Sequence, residues 1–317
     1  MLKCYARRKA MASMLFMVVA TVFLGWATAR TEAAEVEVWL VSTRSAPRAS
    51  AADAADERIG FRRLSDNRWT PSDRGEFHAA GHPGAPTLFL VHGNRTAAGD
   101  AIQMGTALRR QLERTASDQP FRLVIWSWPS EQVCGGARAD VQLKAQYSDV
   151  QAYYLAECLR EMPPEQPVTL AGYSFGARVI TGALELLAGG RVGRYQLNGP
   201  AQDRKAPWRA VLIAAALDAH WLSRGHRNGQ AMGQVDRMLI TANPADRVMR
   251  LYPRMYGRRG PDALGYCAAG YSLSPADRAK VRCLDLSCSV GREHGWWSYW
   301  RSASLRATLA EYTFGTP

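Results

Sequence analysis

Apolar and polar positions along the chain alternate between two periods, which predicts alternating strands and helices. Residues 88–91, 121–126 and 168–171 are short, almost wholly apolar runs, typical of strands buried on both faces of a parallel sheet. Further strands are predicted at 35–43, 209–216, 238–242 and 281–286. Helical spacing predicts helices at 101–114, 140–162, 175–187 and 296–312. This order favours an α/β fold with a doubly wound, mostly parallel sheet.

The first 34 residues have the pattern of an export signal. A positive start (Lys3, Arg7, Arg8 and Lys9) precedes an apolar run over 11–29, and small residues at Ala27, Ala29 and Ala34 offer cleavage sites. This order is typical of a secretory signal peptide, and an uncleaved membrane anchor is the alternative. We therefore expect residues 35–317 to form one domain outside the cytoplasm, either periplasmic or secreted.

The net charge of the chain says little about which partners the protein binds. The formal net charge is +12. Residues 1–34 hold five positive side chains and one negative side chain, so the rest of the chain keeps +8. The positive residues are mostly scattered arginines, and no nucleic-acid motif is present, so no nucleic-acid partner is predicted. A basic surface favours, at most, loose association with an anionic membrane or envelope.

Five cysteines follow the signal segment: Cys134, Cys158, Cys267, Cys283 and Cys288. No Cys-x-x-Cys pair occurs, so neither a metal site nor a cofactor is predicted. A helix over 140–158 is roughly 27 Å long, too far for Cys134 to reach Cys158. Cys158 lies on the apolar face of that helix and is expected to be unpaired. Disulfide bonds are expected within the other four cysteines, with the pairing left open.

The pentapeptide Gly172-Tyr173-Ser174-Phe175-Gly176 is the strongest candidate for chemistry. It has the form G-x-S-x-G, which alone is a modest signal. Its context is more specific, because an apolar strand leads into it and a helical run leaves it. A sharp strand-to-helix turn lifts a serine hydroxyl clear of the sheet, and glycines at both ends avoid collisions. An ordinary glycine-rich turn is the alternative interpretation.

The segments Leu88-Phe-Leu-Val-His-Gly-Asn94 and Ala171-Gly-Tyr-Ser-Phe-Gly176 give the chain a resemblance to the α/β-hydrolase superfamily, over residues 36–312. Within it, the chain is similar to uncharacterised bacterial hydrolases that have a short His-Gly-Asn oxyanion loop and no large cap. The resemblance implies Ser174 as nucleophile, followed along the chain by an acid and a histidine. It also implies oxyanion donors at the backbone N–H groups of Asn94 and Phe175. His92 precedes the serine and is interpreted as structural.

The order of nucleophile, acid and histidine along the chain also selects the candidate acid and the candidate base. His294 follows the last predicted strand and is the expected base, whereas His220 and His226 come too early. Asp246 directly follows the strand at 238–242 and is the favoured acid. Asp218, at the end of the preceding strand, remains the rival because some members of the superfamily take their acid from there. Asp236 begins a strand, at the wrong end of the sheet.

These residues predict a serine hydrolase that cleaves a carboxylic ester or related acyl bond of a small or lipid-like substrate. A peptide or thioester hydrolase is an alternative, as is an inactive binding protein of the same fold. An insertion over 250–280 could cover the site with Tyr252, Tyr256, Tyr266 and Tyr271. Five tryptophans could line an acyl pocket, but packing in the core is the preferred interpretation for any one of them: Trp126, Trp128, Trp296, Trp297 and Trp300. Oligomeric state is not predicted.

Overall fold

In a computed structural model, residues 35–47, 58–116, 118–133, 136–199, 203–255, 260–267 and 273–315 are described. They form a nine-stranded sheet with helices on both faces. The strands are β1 Val36–Ser42, β2 Gly60–Ser65, β3 Arg68–Ser72, β4 Thr87–Val91, β5 Phe121–Ser127, β6 Val168–Tyr173, β7 Trp208–Ile213, β8 Arg237–Ala242 and β9 Val281–Asp285.

The strand order is β3-β2-β1-β5-β4-β6-β7-β8-β9. The six pairings from β1 through β5, β4, β6, β7 and β8 to β9 are parallel, whereas the β2–β3 hairpin at the edge is antiparallel both within itself and to β1. The predicted doubly wound, mostly parallel α/β sheet is therefore confirmed. The hairpin was not among the predicted elements, because its arginine-rich strands face solvent and lack a continuous apolar pattern.

Ten α-helices occur in the described residues: α1 Arg74–Ala79, α2 Ala98–Thr115, α3 Ala137–Arg160, α4 Phe175–Leu187, α5 Arg247–Arg250, α6 Leu264–Cys267, α7 Pro275–Ala279, α8 Ser287–Val290, α9 Trp296–Trp300 and α10 Ala303–Phe314. Two 3₁₀ helices span Ala231–Gln234 and Tyr252–Met255. The closing helix predicted over 296–312 is wrong as one element. It is divided at Ser302, whose side chain accepts a hydrogen bond from the N–H of Leu305 and caps α10.

Successive residues of each central strand point to opposite faces, so the sheet separates two cores. Phe89 and Val91 pack with α1, α3 and α4 on one face, while Leu88 and Leu90 pack with α2, α9 and α10 on the other. Both faces are therefore covered, as a parallel sheet requires. No large cap domain occurs in the described part of the chain, in agreement with the prediction.

The cysteine predictions have mixed outcomes. Cys158 is buried and free, as predicted, in the unbroken helix α3. The expectation of disulfide bonds is wrong for Cys267, Cys283 and Cys288, none of which forms a disulfide bond. They lie on three separate elements, at the end of α6, within β9 and within α8. The sequence predicted that these cysteines lie at one edge of the sheet, but their sulfur atoms are not joined in disulfide bonds. Cys134 lies outside the described residues.

The predicted signal segment, residues 1–34, also lies outside the described residues. Among the helices that the structure describes, none is both long and apolar enough to span a bilayer.

Candidate active site

Ser174 lies in a sharp turn between β6 and α4. Its backbone φ is +53° and its ψ is −114°, a conformation that residues with a side chain rarely adopt. The N–H of Ser174 donates to the carbonyl of Ile213 at 2.8 Å, which ties the turn to β7. At Gly176, a Cβ would lie 2.0 Å from the carbonyl oxygen of Val91. The turn can therefore form only because this position has no side chain.

Three side chains from separate elements meet beside this turn. The hydroxyl oxygen of Ser174 lies 3.1 Å from Nε2 of His294. Nδ1 of His294 lies 2.8 Å from Oδ2 of Asp246. An ionised carboxylate only accepts hydrogen bonds, so Nδ1 carries the proton and Nε2 is left to accept from the serine. The structure thus joins the serine, the histidine and the favoured carboxylate in one hydrogen-bonded chain.

Asp246 is fully buried and receives hydrogen bonds on both carboxylate oxygens. The N–H groups of Val248 and Met249 donate to Oδ1 at 2.8 and 3.0 Å, so Asp246 also caps α5. The hydroxyl of Tyr299 donates to Oδ2 at 2.8 Å. Burial alone would raise the pKa of Asp246. The hydrogen bond and charge of His294, together with the donors from Met249 and Tyr299, outweigh burial and lower this pKa.

The rival acids lie elsewhere. Oδ1 of Asp218 accepts a hydrogen bond from the N–H of His220 at 2.9 Å, and no described contact joins Asp218 to His294. Asp236 accepts from the N–H of Trp208 at the amino-terminal end of the sheet, as expected. The rings of His220 and His226 lie 6.0 Å apart, in contact with each other and not with Ser174. Among these carboxylates, the geometry favours Asp246.

His92 is a buried, structural residue. The N–H of Trp128 donates to its Nε2 at 3.1 Å, so its proton is on Nδ1, which donates to the carbonyl of Gly93 at 2.9 Å. Its ring stacks on that of Trp128 at 5.6 Å. Burial, with a smaller effect of the charge of Arg44, lowers the pKa of His92 to about 3 despite the hydrogen bond to Gly93. The imidazole is therefore neutral and holds the loop after β4 to the end of β5.

That loop carries one of the two expected oxyanion donors. Arg95 has a φ of +56°, and its N–H donates to the carbonyl of Ser130 at 2.8 Å. Asn94, the residue before it, lines the same cavity as Ser174 and Phe175. Phe175 is the first residue of α4, where backbone N–H groups have no partner within the helix. Asn94 and Phe175 therefore line the same cavity as Ser174.

A cavity of about 500 Å³ opens beside Ser174 and His294. Its apolar wall comes from the start of the insertion and from α3: Val141, Val248, Met249, Leu251, Tyr252 and Met255. The expectation that the insertion covers the site therefore holds for Tyr252. Tyr266 packs against the core, and Tyr256 and Tyr271 lie outside the described residues.

None of the five tryptophans is among the described cavity residues, and the preferred interpretation, packing in the core, is confirmed for four of them. Trp126 and Trp128 are buried in the core around α3 and α4. Trp296 and Trp300 stack on each other, with ring centroids 5.2 Å apart, in the core on the opposite face. Trp297 is exposed to solvent and is not among the cavity residues. The aromatic clusters in the sequence are core or surface residues, which composition alone does not distinguish.

Sequence analysis missed two tyrosines that contact the site. Tyr299 donates to Asp246, and the hydroxyl of Tyr173 donates to the carbonyl of His294. Burial, followed by the charge of Asp246, raises the pKa of both hydroxyls, so both remain protonated donors. Tyr173 adjoins the serine in the pentapeptide and could have been singled out, whereas nothing local marks Tyr299. Within the described residues, no cluster of three or more His, Cys, Asp or Glu side chains could hold a metal ion.

No known family model matches this chain. Curated protein sequences yield no significant match either. Three solved structures to which it is similar in shape are acyl-protein thioesterase 2 from Zea mays, esterase B from Lactobacillus rhamnosis and the catalytic core of acetyl xylan esterase from Trichoderma reesei. Their sequences are 14%, 12% and 13% identical to this one, with TM-scores of 0.38, 0.36 and 0.37. The alignments cover 72%, 96% and 73% of this chain, and 92%, 93% and 93% of the respective structures. Similarity at this level assigns neither a substrate nor a reaction.

Proposed function

We propose that this protein is a serine hydrolase that cleaves a carboxylic ester or a related acyl bond. The observation that carries the proposal is the hydrogen-bonded chain from Ser174 through His294 to Asp246. A serine hydroxyl is a weak nucleophile until a base removes its proton, and a neutral Nε2 at 3.1 Å is suited to do so. The serine end of this hydrogen-bonded triad lies at a cavity large enough for a small acyl substrate.

In this mechanism, Oγ of Ser174 attacks the carbonyl carbon while its proton passes to Nε2 of His294. The N–H groups of Asn94 and Phe175 stabilise the negative oxygen of the tetrahedral intermediate. The C–O bond to the leaving group breaks, and the departing oxygen takes the proton from His294. Water then attacks the carbonyl carbon of the acyl-serine and gives one proton to His294. The bond from that carbon to Oγ breaks, the carboxylic acid leaves, and Oγ takes the proton back from His294. Asp246 holds the imidazole orientation and stabilises its positive form.

Labelling with a fluorophosphonate tests the proposal directly, because the reagent reacts only with an activated serine. We expect one covalent adduct at Ser174, located by peptide mapping, and turnover of a p-nitrophenyl ester. Ser174→Ala and His294→Ala should lose both signals. Ser289→Ala, which removes an exposed hydroxyl outside the cavity, is the matched control and should retain both. A wild-type protein that is neither labelled nor active would instead favour a binding protein of the same fold.

The bond cleaved is part of the proposal. Esters are favoured over peptides as substrates because an alkoxide is a better leaving group than an amide nitrogen. The triad therefore has to assist the departure of the leaving group less in an ester than in a peptide. A matched series of one acyl group as its oxygen ester, thioester and anilide separates the three possibilities. We expect the highest kcat/KM for the oxygen ester.

We further propose that residues 1–34 direct export and are removed. The mature protein should then begin near Arg30 or Glu35, which amino-terminal sequencing of the native protein checks. An intact Met1 in the membrane fraction would support the anchor alternative.

A further inference from the structure

Among the described residues, three arginines and no acidic side chain line the cavity beside Ser174. They are Arg95 from the loop after β4, Arg138 from the start of α3, and Arg254 from the 3₁₀ helix after α5. Three separate elements therefore bring positive charge to one opening. An excess of a single charge in a cleft raises the local concentration of ligands of opposite charge.

The described residues neutralise little of this charge. Arg95 has one acidic neighbour, with its Nε 3.5 Å from Oδ2 of Asp140. Asp140 also lies 3.4 Å from the buried ammonium of Lys144, so one carboxylate serves two cations. Neither Arg138 nor Arg254 forms an ion pair within the described ranges. The residues between 133 and 273 that lie outside those ranges include no Asp or Glu.

The position of Arg138 in its helix is electrostatically unfavourable when the cavity holds no anion. It is the second residue of α3, a helix of 24 residues. The amino-terminal end of a helix carries partial positive charge, so a cation in the first turn is repelled and an anion is attracted. A negatively charged group in the cavity would remove this repulsion and engage the guanidinium at the same time.

Apart from the arginines and the catalytic groups, most of the cavity surface is apolar. Val248 and Leu251 are large apolar side chains with 50% and 43% of their surface exposed. They lie with Met249, Met255 and Val141 along the wall that adjoins the arginines. Exposed apolar side chains grouped at a cavity are typical of a surface that binds apolar ligands. The apolar wall of the cavity therefore suits an alkyl chain. Its three guanidinium groups suit an anion that accepts hydrogen bonds.

From these observations we infer that the cavity selects acyl esters that carry a carboxylate or phosphate, with the chain on the apolar wall and the anion on Arg95, Arg138 and Arg254. This inference rests on the proposed hydrolase function and names its substrate class. Guanidinium groups suit both anions, because their planar donors can form paired hydrogen bonds to two oxygens.

Two matched substrate pairs test the inference. One pair, p-nitrophenyl hexanoate and mono-p-nitrophenyl adipate, differs by a carboxylate on the acyl side. The other, monohexanoylglycerol and its phosphate monoester, differs by a phosphate on the alcohol side. We expect the ratio of kcat/KM for the anionic over the neutral member to exceed one in at least one pair. Each exposed arginine should contribute roughly 1.5- to 5-fold to the ratio. Raising the salt concentration from about 0.02 M to about 0.5 M should reduce it.

Arg138→Gln/Arg254→Gln is the decisive variant, and it should lower the ratio by roughly 2- to 25-fold, leaving the contribution of Arg95. The control is Arg110→Gln, which removes a positive charge from an exposed position on α2 that is outside the cavity. It should keep the wild-type ratio. A ratio near one in the wild-type protein for both pairs would overturn the inference, and so would a ratio that the double variant leaves unchanged.

Binding to Ser174→Ala separates this inference from the hydrolase proposal, because binding needs no catalysis. In calorimetry, dodecyl phosphate should bind at least about threefold more tightly than zwitterionic dodecylphosphocholine, and Arg138→Gln/Arg254→Gln should reduce this preference at least about twofold. If no ester is hydrolysed but the preference is found, the anion site stands and the hydrolase proposal fails. If esters are hydrolysed but neither test shows a charge preference, the anion site fails alone.

Discussion

The hydroxyl of Tyr299 and Nδ1 of His294 share one acceptor, Oδ2 of Asp246, each at 2.8 Å. Tyr299 is fully buried in α9, two residues after an exposed tryptophan. Its hydrogen bond stabilises the negative form of a carboxylate that burial alone would neutralise. We interpret Tyr299 as a positioning residue that keeps Asp246 ionised and fixed toward the imidazole.

Tyr299→Phe should therefore weaken both the fold and the ionised state of Asp246. We expect the free energy of unfolding at pH 7 to fall by about 1.5–3 kcal/mol, the usual range for a hydrogen bond to a charged group. A carboxylate with a lowered pKa stabilises the fold at neutral pH and loses that contribution as pH falls through the folded-state pKa. Since the variant raises this pKa, its acid unfolding should begin at higher pH. Urea unfolding as a function of pH measures both effects.

Tyr312→Phe provides the comparison for that experiment. Tyr312 is equally buried in the same core, and its hydroxyl makes no hydrogen bond to another described residue. Its acid unfolding should match that of the wild-type protein. Matching profiles for Tyr299→Phe and the wild-type protein would argue against the positioning role.

Asp246→Asn and Asp218→Asn distinguish the two acid assignments. In the first variant Nδ1 of His294 loses a carboxylate that holds its tautomer, so we expect kcat to fall by roughly 10²- to 10⁴-fold. The second variant changes an acceptor for the N–H of His220, away from His294, and should change kcat by less than about threefold. Circular dichroism should verify that both variants fold. The assignment of Asp246 is wrong if Asp218→Asn is the more damaging change.

His92 should make the stability of the protein depend on pH between its ordinary pKa of 6.5 and the folded-state value of about 3. Below pH 6.5 the unfolded chain binds a proton that the folded chain excludes, so stability is lost as pH falls. From pH 7 to pH 5 the loss from this group should be about 2 kcal/mol. His92→Gln should lower stability at pH 7 but show a flatter slope over this interval.

The slope is measured by urea unfolding at both pH values. Other histidines contribute equally to the wild-type protein and to His92→Gln, so the difference between the two slopes isolates His92. An unchanged slope in His92→Gln would mean that the imidazole is not held neutral.

Gly176→Ala should prevent folding or destabilise the protein by more than about 3 kcal/mol, because the new Cβ would meet the backbone of Val91, which cannot move away as a flexible side chain could. Gly99→Ala is the matched control near the start of α2, where a Cβ would meet nothing within 4 Å. It should be neutral or slightly stabilising, since alanine favours helices. Thermal unfolding of the two variants gives the comparison, and equal midpoints would contradict the steric argument.

Local sequence was sufficient for the parts of this structure that depend on local geometry. The strand, turn and helix around Ser174 follow from an apolar run, two glycines and a helical run. The placement of Asp246 and His294 after β8 and β9 followed from the order of elements along the chain. In each case, the topology of a parallel sheet brings the ends of neighbouring strands together.

The features that sequence did not predict depend on distant packing. Asp246 and Tyr299 are 53 residues apart, and no pattern near either residue signals their contact. The tryptophans illustrate the same difficulty, because apolar character does not reveal which core a side chain enters. The hairpin of β2 and β3 was missed for a local reason. Asp66 and Asn67, at its turn, both have positive φ, yet arginines replace the apolar alternation on both strands.

The backbone of Ser174 has a consequence for how such a protein evolves. A serine held at φ +53° and ψ −114° is strained by about 1–3 kcal/mol, and glycine would adopt the same conformation with little strain. Selection for stability alone would thus replace the residue that the chemistry requires. A lineage that lost its substrate would be free to drift toward glycine here, so the identity of this one residue in related chains would record whether hydrolysis is still being maintained.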